Sequence, residues 1–170
     1  MREYNADEII AAVSQKYKLK KMQLMIFHEE VVKQYGDAKI LRGTDYPLYE
    51  AFFRTAYPNA NPDGWLNDYF IEKAAKEYFV RYISNGKLES VCDAPDMPYM
   101  KDKIQHTGIS TLKEERRKGY AKCTVALATH HLIENGVCPQ WDCLENNIAS
   151  FELEKSIGYQ EYGMAYILEE

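Results

Sequence analysis

Two runs of strand-forming residues, 78–83 and 87–92, flank Asn85-Gly86, and this pair restricts the folding of the chain more sharply than any other local feature. Asn and Gly accept positive φ readily, which is the geometry a two-residue hairpin turn needs to match the right-handed twist of its strands. An antiparallel hairpin over residues 78–92 is therefore the anchor of the reading. The stretch after it, Asp93-Ala94-Pro95-Asp96-Met97-Pro98-Tyr99, holds two prolines that cannot donate to a ladder, and is expected to be a loop. Residues 104–112 are expected as the next strand. A charged loop and a helix from about 118 to 134 follow, the helix stopped by Asn135-Gly136. Residues 139–144 read as a short strand, 147–157 as a helix ended by Gly158, and 159–168 as strand material broken by Gly163.

Upstream of the hairpin the pattern is looser. Residues 7–17 are helical by period, with Ile9, Ile10 and Val13 on one stripe, while 18–27 fits either a strand or a helix. Residues 38–41 read as a strand, Asp45-Tyr46-Pro47 opens a helix carrying Leu48, Phe52 and Phe53, and a second helix spans about 65–77. Strands and helices interleave, with an antiparallel hairpin ahead of a β-α-β unit, so the expected class is α/β of the α+β type, a mixed, largely antiparallel central sheet flanked by helices. Residues 1–36 are expected as an N-terminal extension packed on the core, and 37–170 as the main domain.

At 170 residues the chain has room for one sizeable core and is short for two domains. A net charge of -5 leaves no reservoir of positive charge for a phosphate backbone, so nucleic acid is not expected as a partner. No apolar run is long enough to cross a bilayer and the first residues are charged, so neither a membrane nor a secretory route is expected; the expected location is the cytoplasm. Cys92, Cys123, Cys138 and Cys143 form no C-x-x-C pair and read as buried free thiols. A zinc site from Cys138, Cys143, His130 and His131 is disfavoured, because adjacent histidines on a helix point about 100° apart. No metal is expected. Fourteen tyrosines and six phenylalanines are read mostly as core, and pairing into a homodimer is left open.

The unit that bears on chemistry is the strand Gly108-Ile109-Ser110-Thr111-Leu112 followed by Arg116-x-x-Gly119-x-Ala121 at the mouth of a long helix. A helix N-terminus presents unpaired N–H groups and partial positive charge, and small residues there let a diphosphate approach the backbone. Arg116, Arg117, Lys118 and Lys122 concentrate positive charge in an otherwise acidic chain. A solvated basic helix start is the plainer alternative. Neither Gly-x-x-x-x-Gly-Lys-Ser/Thr nor Gly-x-Gly-x-x-Gly is present, which removes the usual support for a nucleotide-binding fold. Downstream stand Pro139-x-Trp141-Asp142-Cys143 and Asn147-x-x-Ser150-x-x-Leu153, with Ile157-Gly158-Tyr159 closing the helix.

With those elements in that order the sequence resembles the GNAT N-acetyltransferase superfamily, whose pattern is Gln/Arg-x-x-Gly-x-Gly/Ala after a strand and then an Asn-led helix ending in Leu-Gly-Phe. Trp141-Asp142-Cys143 is similar to a subgroup that includes antibiotic-resistance acetyltransferases of the zwittermicin type. The resemblance implies acetyl-CoA as co-substrate and direct attack of an amine on the thioester. It places the diphosphate on Arg116, Arg117, Lys118, Gly119, Tyr120, Ala121 and Lys122, and the pantetheine arm along Ile109, Thr111 and Leu112. A backbone N–H of Thr111 or Leu112 is the expected oxyanion donor, and Asn147 and Ser150 complete the cofactor side.

Acid and base follow the resemblance less closely. The strand position where family members carry a carboxylate base is Gln105, which cannot serve, so His106 beside it becomes the expected base, against a purely structural histidine. The usual acid is a tyrosine one residue past the helix Leu, and that position is Glu154. An ionised Glu154 would repel the departing thiolate, so it acts only with a raised pKa; the simpler expectation is a solvated helix residue, with Ser150, Tyr159 or Tyr162 as alternative hydroxyls. Asp93 and Asp96 either hold the ammonium of a small amine acceptor or shape their turn. The expected function is N-acetyl transfer to a primary amine of a small molecule. A non-catalytic acyl-CoA-binding module and a ligand-free structural protein are the rival readings.

Overall fold

The computed structural model describes residues 5–27, 33–93, 100 and 103–169. The hairpin is present: β3 (Val80–Ser84) and β4 (Lys87–Cys92) are antiparallel, Ser84 faces Lys87, and Asn85 and Gly86 take φ of +51° and +74°. β2 (Lys39–Ile40) adds to the outer side of β3 and β6 (Ile109–Thr111) to the outer side of β4, giving a four-stranded sheet in the order β2-β3-β4-β6. Helices α2 (Tyr46–Ala56), with Pro47 in its first turn where a missing N–H does no harm, and α3 (Leu66–Ala75) cover one face. Their Tyr49, Phe52, Leu66 and Phe70 pack on Phe79, Leu88 and Val91, and the rings of Tyr49, Phe70 and Phe79 sit 5.0 to 5.6 Å apart. Helix α4 (Tyr120–Glu134) covers the other face, setting Val125, Ala126 and Ala128 against Val80 and Cys92.

The second four-stranded sheet has the order β5-β7-β1-β8, formed by β5 (Ile104–His106), β7 (Cys138–Leu144), β1 (Lys18–Phe27) and β8 (Tyr159–Glu169). The β5–β7 pair is parallel and the other pairs are antiparallel. Residues 18–27, placed by the sequence in an N-terminal extension, thus form an interior strand between β7 and β8, with Met25 buried opposite Trp141. α1 (Ala6–Ser14), capped by the Asn5 side chain on the Asp7 N–H, precedes it and buries none of its residues. β8 is continuous where a break at Gly163 was expected: the chain absorbs one extra residue, Tyr162, as a bulge opposite Leu24 and Met25. α5 (Ile148–Lys155) joins β7 to β8.

The strand expected over 104–112 is two strands in two sheets. Thr107 still donates its N–H to the Gln140 carbonyl (2.9 Å), and its hydroxyl donates to the same oxygen (3.1 Å). Gly108 already turns its carbonyl to the Asp93 N–H (3.1 Å) on the other sheet. The pairing partner therefore changes over one residue, and β6 diverges from β7 beyond it.

Candidate active site

The divergence leaves two strand edges facing a gap. In an antiparallel ladder, paired and unpaired backbone groups alternate. Asp93 donates to Gly108 and Leu112 donates to Glu89 (3.0 Å), so the intervening N–H groups of Ile109 and Thr111 turn away from β4, into the gap. Of the two expected oxyanion donors, the Leu112 N–H is committed to Glu89, and the Thr111 N–H is the one turned to the gap.

Past Thr111 the chain makes a single 3-10 turn (Lys113–Glu115) and reaches the basic turn. Arg117 and Gly119 take left-handed φ values of +62° and +86°, and Gly119 is the N-cap of α4. Such a sequence of conformations points successive N–H groups to one side and makes a concavity for an anion. A Cβ built on Gly119 meets nothing within 4 Å, so the space before the helix is open. Tyr120 stacks on Tyr82 at 4.3 Å, fastening the first helical turn to β3. Arg116 reaches back, its Nε donating to the Thr111 carbonyl at 3.3 Å, and Lys118 pairs with Glu115 at 2.7 Å. Among the described residues Arg117 and Lys122 have no carboxylate partner and remain available to a diphosphate. Ala121 keeps the turn narrow. These features fit a CoA diphosphate.

Side chains alternate along β7, so its two faces have different neighbours. Trp141 and Cys143 face α4 and α5. The Trp141 Nε1 donates to Ser150 Oγ at 3.0 Å, and Asn147 caps α5 by accepting the Ser150 N–H at 3.3 Å, so both expected cofactor contacts also build the helix start. Cys143 Sγ donates to Glu154 Oε1 at 3.6 Å. Glu154 is wholly buried, which overturns its reading as a solvated residue; its Oε2 has no hydrogen-bond partner. Burial, with the negative charge of Asp142 nearby, raises its pKa to about 7. Burial and the adjoining carboxylate push the Cys143 thiol up to about 11.

Tyr159 is placed differently from expectation. Its buried hydroxyl lies 2.9 Å from Thr129 Oγ1 and 3.1 Å from Thr107 Oγ1, and burial holds its pKa well above the usual tyrosine value. A Thr129→Tyr159→Thr107→Gln140 chain of hydrogen bonds satisfies every member and pins the residue at which the strand changes sheets. Tyr159 shapes the gap and is not placed to donate into it. The Tyr162 hydroxyl donates to Gln140 Oε1 at 3.4 Å, and Ser150 is tied to Trp141.

On the opposite face His106 and Asp142 meet across the β5–β7 pair, with Nε2 2.8 Å from Asp142 Oδ1. Asp93 lies close enough for His106 and Lys73 to act on its charge, and burial raises its pKa to about 6. The Tyr57 hydroxyl at the end of α2 contacts the Ser110 hydroxyl on β6. Asp96 and most of its loop fall outside the described residues. Asp142, Cys143 and Tyr57 had no assigned role in the sequence. Strand alternation from Trp141 was enough to separate Asp142 from Cys143, whereas nothing local marked Tyr57. The expected thiols are all free; Cys92 and Cys143 are buried, Cys123 and Cys138 partly so. Among the described residues no three metal-ligating side chains cluster.

A sheet opened between two neighbouring strands in front of a glycine-led helix defines an acetyltransferase-type architecture, and solved structures share it. An acetyltransferase of the GNAT family from Colwellia psychrerythraea superimposes with a TM-score of 0.73 at 16% identity, over 96% of this chain and 61% of that one. A GCN5-related N-acetyltransferase from Sphaerobacter thermophilus gives 0.71 at 13%, over 99% and 56%. AAC(6')-Iy, solved in complex with the bisubstrate analog CoA-S-monomethyl-acetylneamine, gives 0.60 at 19%, over 75% and 92%. The chain thus spans about three fifths of the length of the first two. No curated protein matches the sequence. The family model for GNAT acetyltransferases matches residues 70–167, more than half of the chain, and the protein belongs to that family. The comparisons carry nothing on the zwittermicin-type subgroup.

Proposed function

We propose that this protein is an N-acetyltransferase that moves the acetyl group of acetyl-CoA to a primary amine of a small molecule. The observation that carries the reading is the pair of inward N–H groups of Ile109 and Thr111 beside an open, left-handed Gly119 turn. Acetyl-CoA, when bound, supplies an activated acyl carbon and a thiolate leaving group. Arg117, Lys122 and the first amides of α4 hold its diphosphate, with Lys118, Tyr120 and Ala121 shaping the turn and Arg116 bracing it against β6. Thr111 N–H meets the negative charge that develops on the acyl oxygen, a preorganised donor that needs no rearrangement.

The two faces divide the proton traffic. His106, on the face away from α4 and α5, takes a proton from the acceptor ammonium; the freed amine nitrogen then bonds to the acyl carbon as the C–S bond breaks, and the second proton leaves the acylated nitrogen for water. Glu154, on the α5 side, gives its carboxyl proton to the departing sulfur. A carboxyl with a pKa of about 7 suits that task, since it is protonated in substantial part near neutrality and gives the proton up readily. The same property speaks against the non-catalytic module, which has no use for a buried neutral acid. Asp93, whose charge His106 feels, holds the ammonium of the acceptor. No described helix is long and apolar enough to cross a membrane; we place the protein in the cytoplasm, with no nucleic-acid partner.

The test is thiol release from acetyl-CoA against a panel of primary amines, with mass spectrometry of the products. Acceptor-dependent release accompanied by a product heavier by one acetyl group supports the assignment. Tight CoA binding with no acceptor-dependent release across the panel would replace it by the binding module.

A further inference from the structure

We infer that Asp142 is a positioning residue that fixes the tautomer of His106, holding the proton on Nε2 so that the Nδ1 lone pair is the basic site on the acceptor face. This rests on the acetyl-transfer reading above. His106 Nε2 lies 2.8 Å from Asp142 Oδ1 and 3.1 Å from the backbone N of the same residue. One ring nitrogen holds either a proton or a lone pair, so these contacts are alternatives. If Nε2 accepts the Asp142 amide, the proton sits on Nδ1 and the ring has no lone pair left to abstract with. If Nε2 donates to the carboxylate, Nδ1 is free, and the Asp142 N–H stays beside the ring without a lone pair to bond to.

The geometry selects the second arrangement. The contact to Oδ1 is the shorter, and a hydrogen bond to an ionised acceptor is roughly twice as strong as a neutral one. The backbone around both residues is fixed: Thr107 N–H is bonded to the Gln140 carbonyl, and Asp142 is in register with Leu24 on the other side. Both side chains are partly open to solvent, 18% for His106 and 27% for Asp142, so an acceptor can reach the ring. Among the described residues no hydrogen bond occupies Nδ1. The charged groups around the ring are Asp142 on β7 and Asp93 at the end of β4, with Lys73 of α3 beside Asp93 and Glu154 of α5 behind Asp142. When the acceptor ammonium gives its proton to Nδ1, the resulting imidazolium keeps Nε2–H on the Asp142 carboxylate, and no second proton has to move.

The test reads the tautomer directly. In protein labelled with 15N-histidine, long-range proton–nitrogen spectra distinguish Nε2–H from Nδ1–H rings, and His106→Gln identifies the signal among the four histidines. The expected result is an Nε2–H ring in the native protein and in Asp142→Glu, and a shift toward Nδ1–H in Asp142→Asn, whose amide nitrogen donates where the carboxylate accepted. Alongside it, acetyl-CoA turnover with an amine from the panel should fall at least about tenfold in Asp142→Asn and further in His106→Gln, with CoA affinity unchanged. A native His106 in the Nδ1–H form, or a tautomer indifferent to Asp142→Asn, overturns the inference. If the tautomers behave as expected but neither variant slows turnover, the positioning stands and the base assignment of His106 falls.

Discussion

Replacing Glu154 by Gln isolates the one buried carboxyl on the α5 side of the gap. Its pKa of about 7, against 4.5 in an unfolded chain, means that the folded protein binds this proton more tightly than the unfolded one. The folded state is therefore favoured most at low pH and loses stability as pH climbs from 4.5 through 7. A separation of about 2.5 units at 1.36 kcal/mol each makes the loss about 3 kcal/mol by pH 8, nearly complete there and nearly absent below pH 4.5. Glu154→Gln keeps the shape and removes the ionisation, so it should gain about 3 kcal/mol over the native protein at pH 8, some 6–12 °C in Tm for a chain of this size, and little at pH 4.5. Thermal or urea denaturation of both proteins across pH 4.5–8 measures it. Asp93 and the other titrating groups that do not touch Glu154 are common to the two proteins and cancel to first order in the difference. Turnover should move the opposite way, falling roughly 10²-fold or more at and below neutrality if the carboxyl is the acid, with the difference shrinking as pH rises above 7. Stability curves that run parallel over the whole range would refute the burial argument, whatever happens to activity.

Three further outcomes are expected. Gly119→Ala puts an L-residue at φ +86° and should cost about 1–2 kcal/mol by denaturation, while Gly119→Glu, which also sets a carboxylate in the open space before α4, should weaken CoA binding by more than about tenfold in a calorimetric titration. Tyr159→Phe leaves the hydroxyls of Thr107 and Thr129 without their shared partner and should cost about 1–3 kcal/mol of stability by urea denaturation. Phe70→Ala opens a hole among Tyr49, Phe79 and Leu66 on the side away from α4 and should cost about 3–5 kcal/mol, while CoA affinity at a temperature where the variant stays folded is unchanged.

What the sequence made legible was chemistry with a local cause. Asn85-Gly86 determines its own backbone and so announced the hairpin; Gly119 and the basic residues around it did the same for the turn, and the Asn147 cap for α5. Partners distant in sequence were not legible. Residues 18–27 alternate only loosely because they lie between two strands with half-buried faces, and their place inside the sheet depends on β7 and β8, more than a hundred residues away. The split of 104–112 leaves no mark in the sequence because both halves have strand character; only the rival carbonyls of Gln140 and Glu89 reveal that they belong to different ladders. The burial of Glu154 is hidden for a related reason: on an exposed helix it would be ordinary, and what covers it is Cys143 and the strand beneath.

The crossing at Thr107 and Gly108 has a mechanical consequence. β6 and β7 belong to different sheets, so the seam between them is spanned by this crossing and by the body of α4 rather than by a ladder. A guest that meets the amides of Ile109 and Thr111 becomes a surrogate strand along that seam. Filling it should slow amide exchange on both banks together.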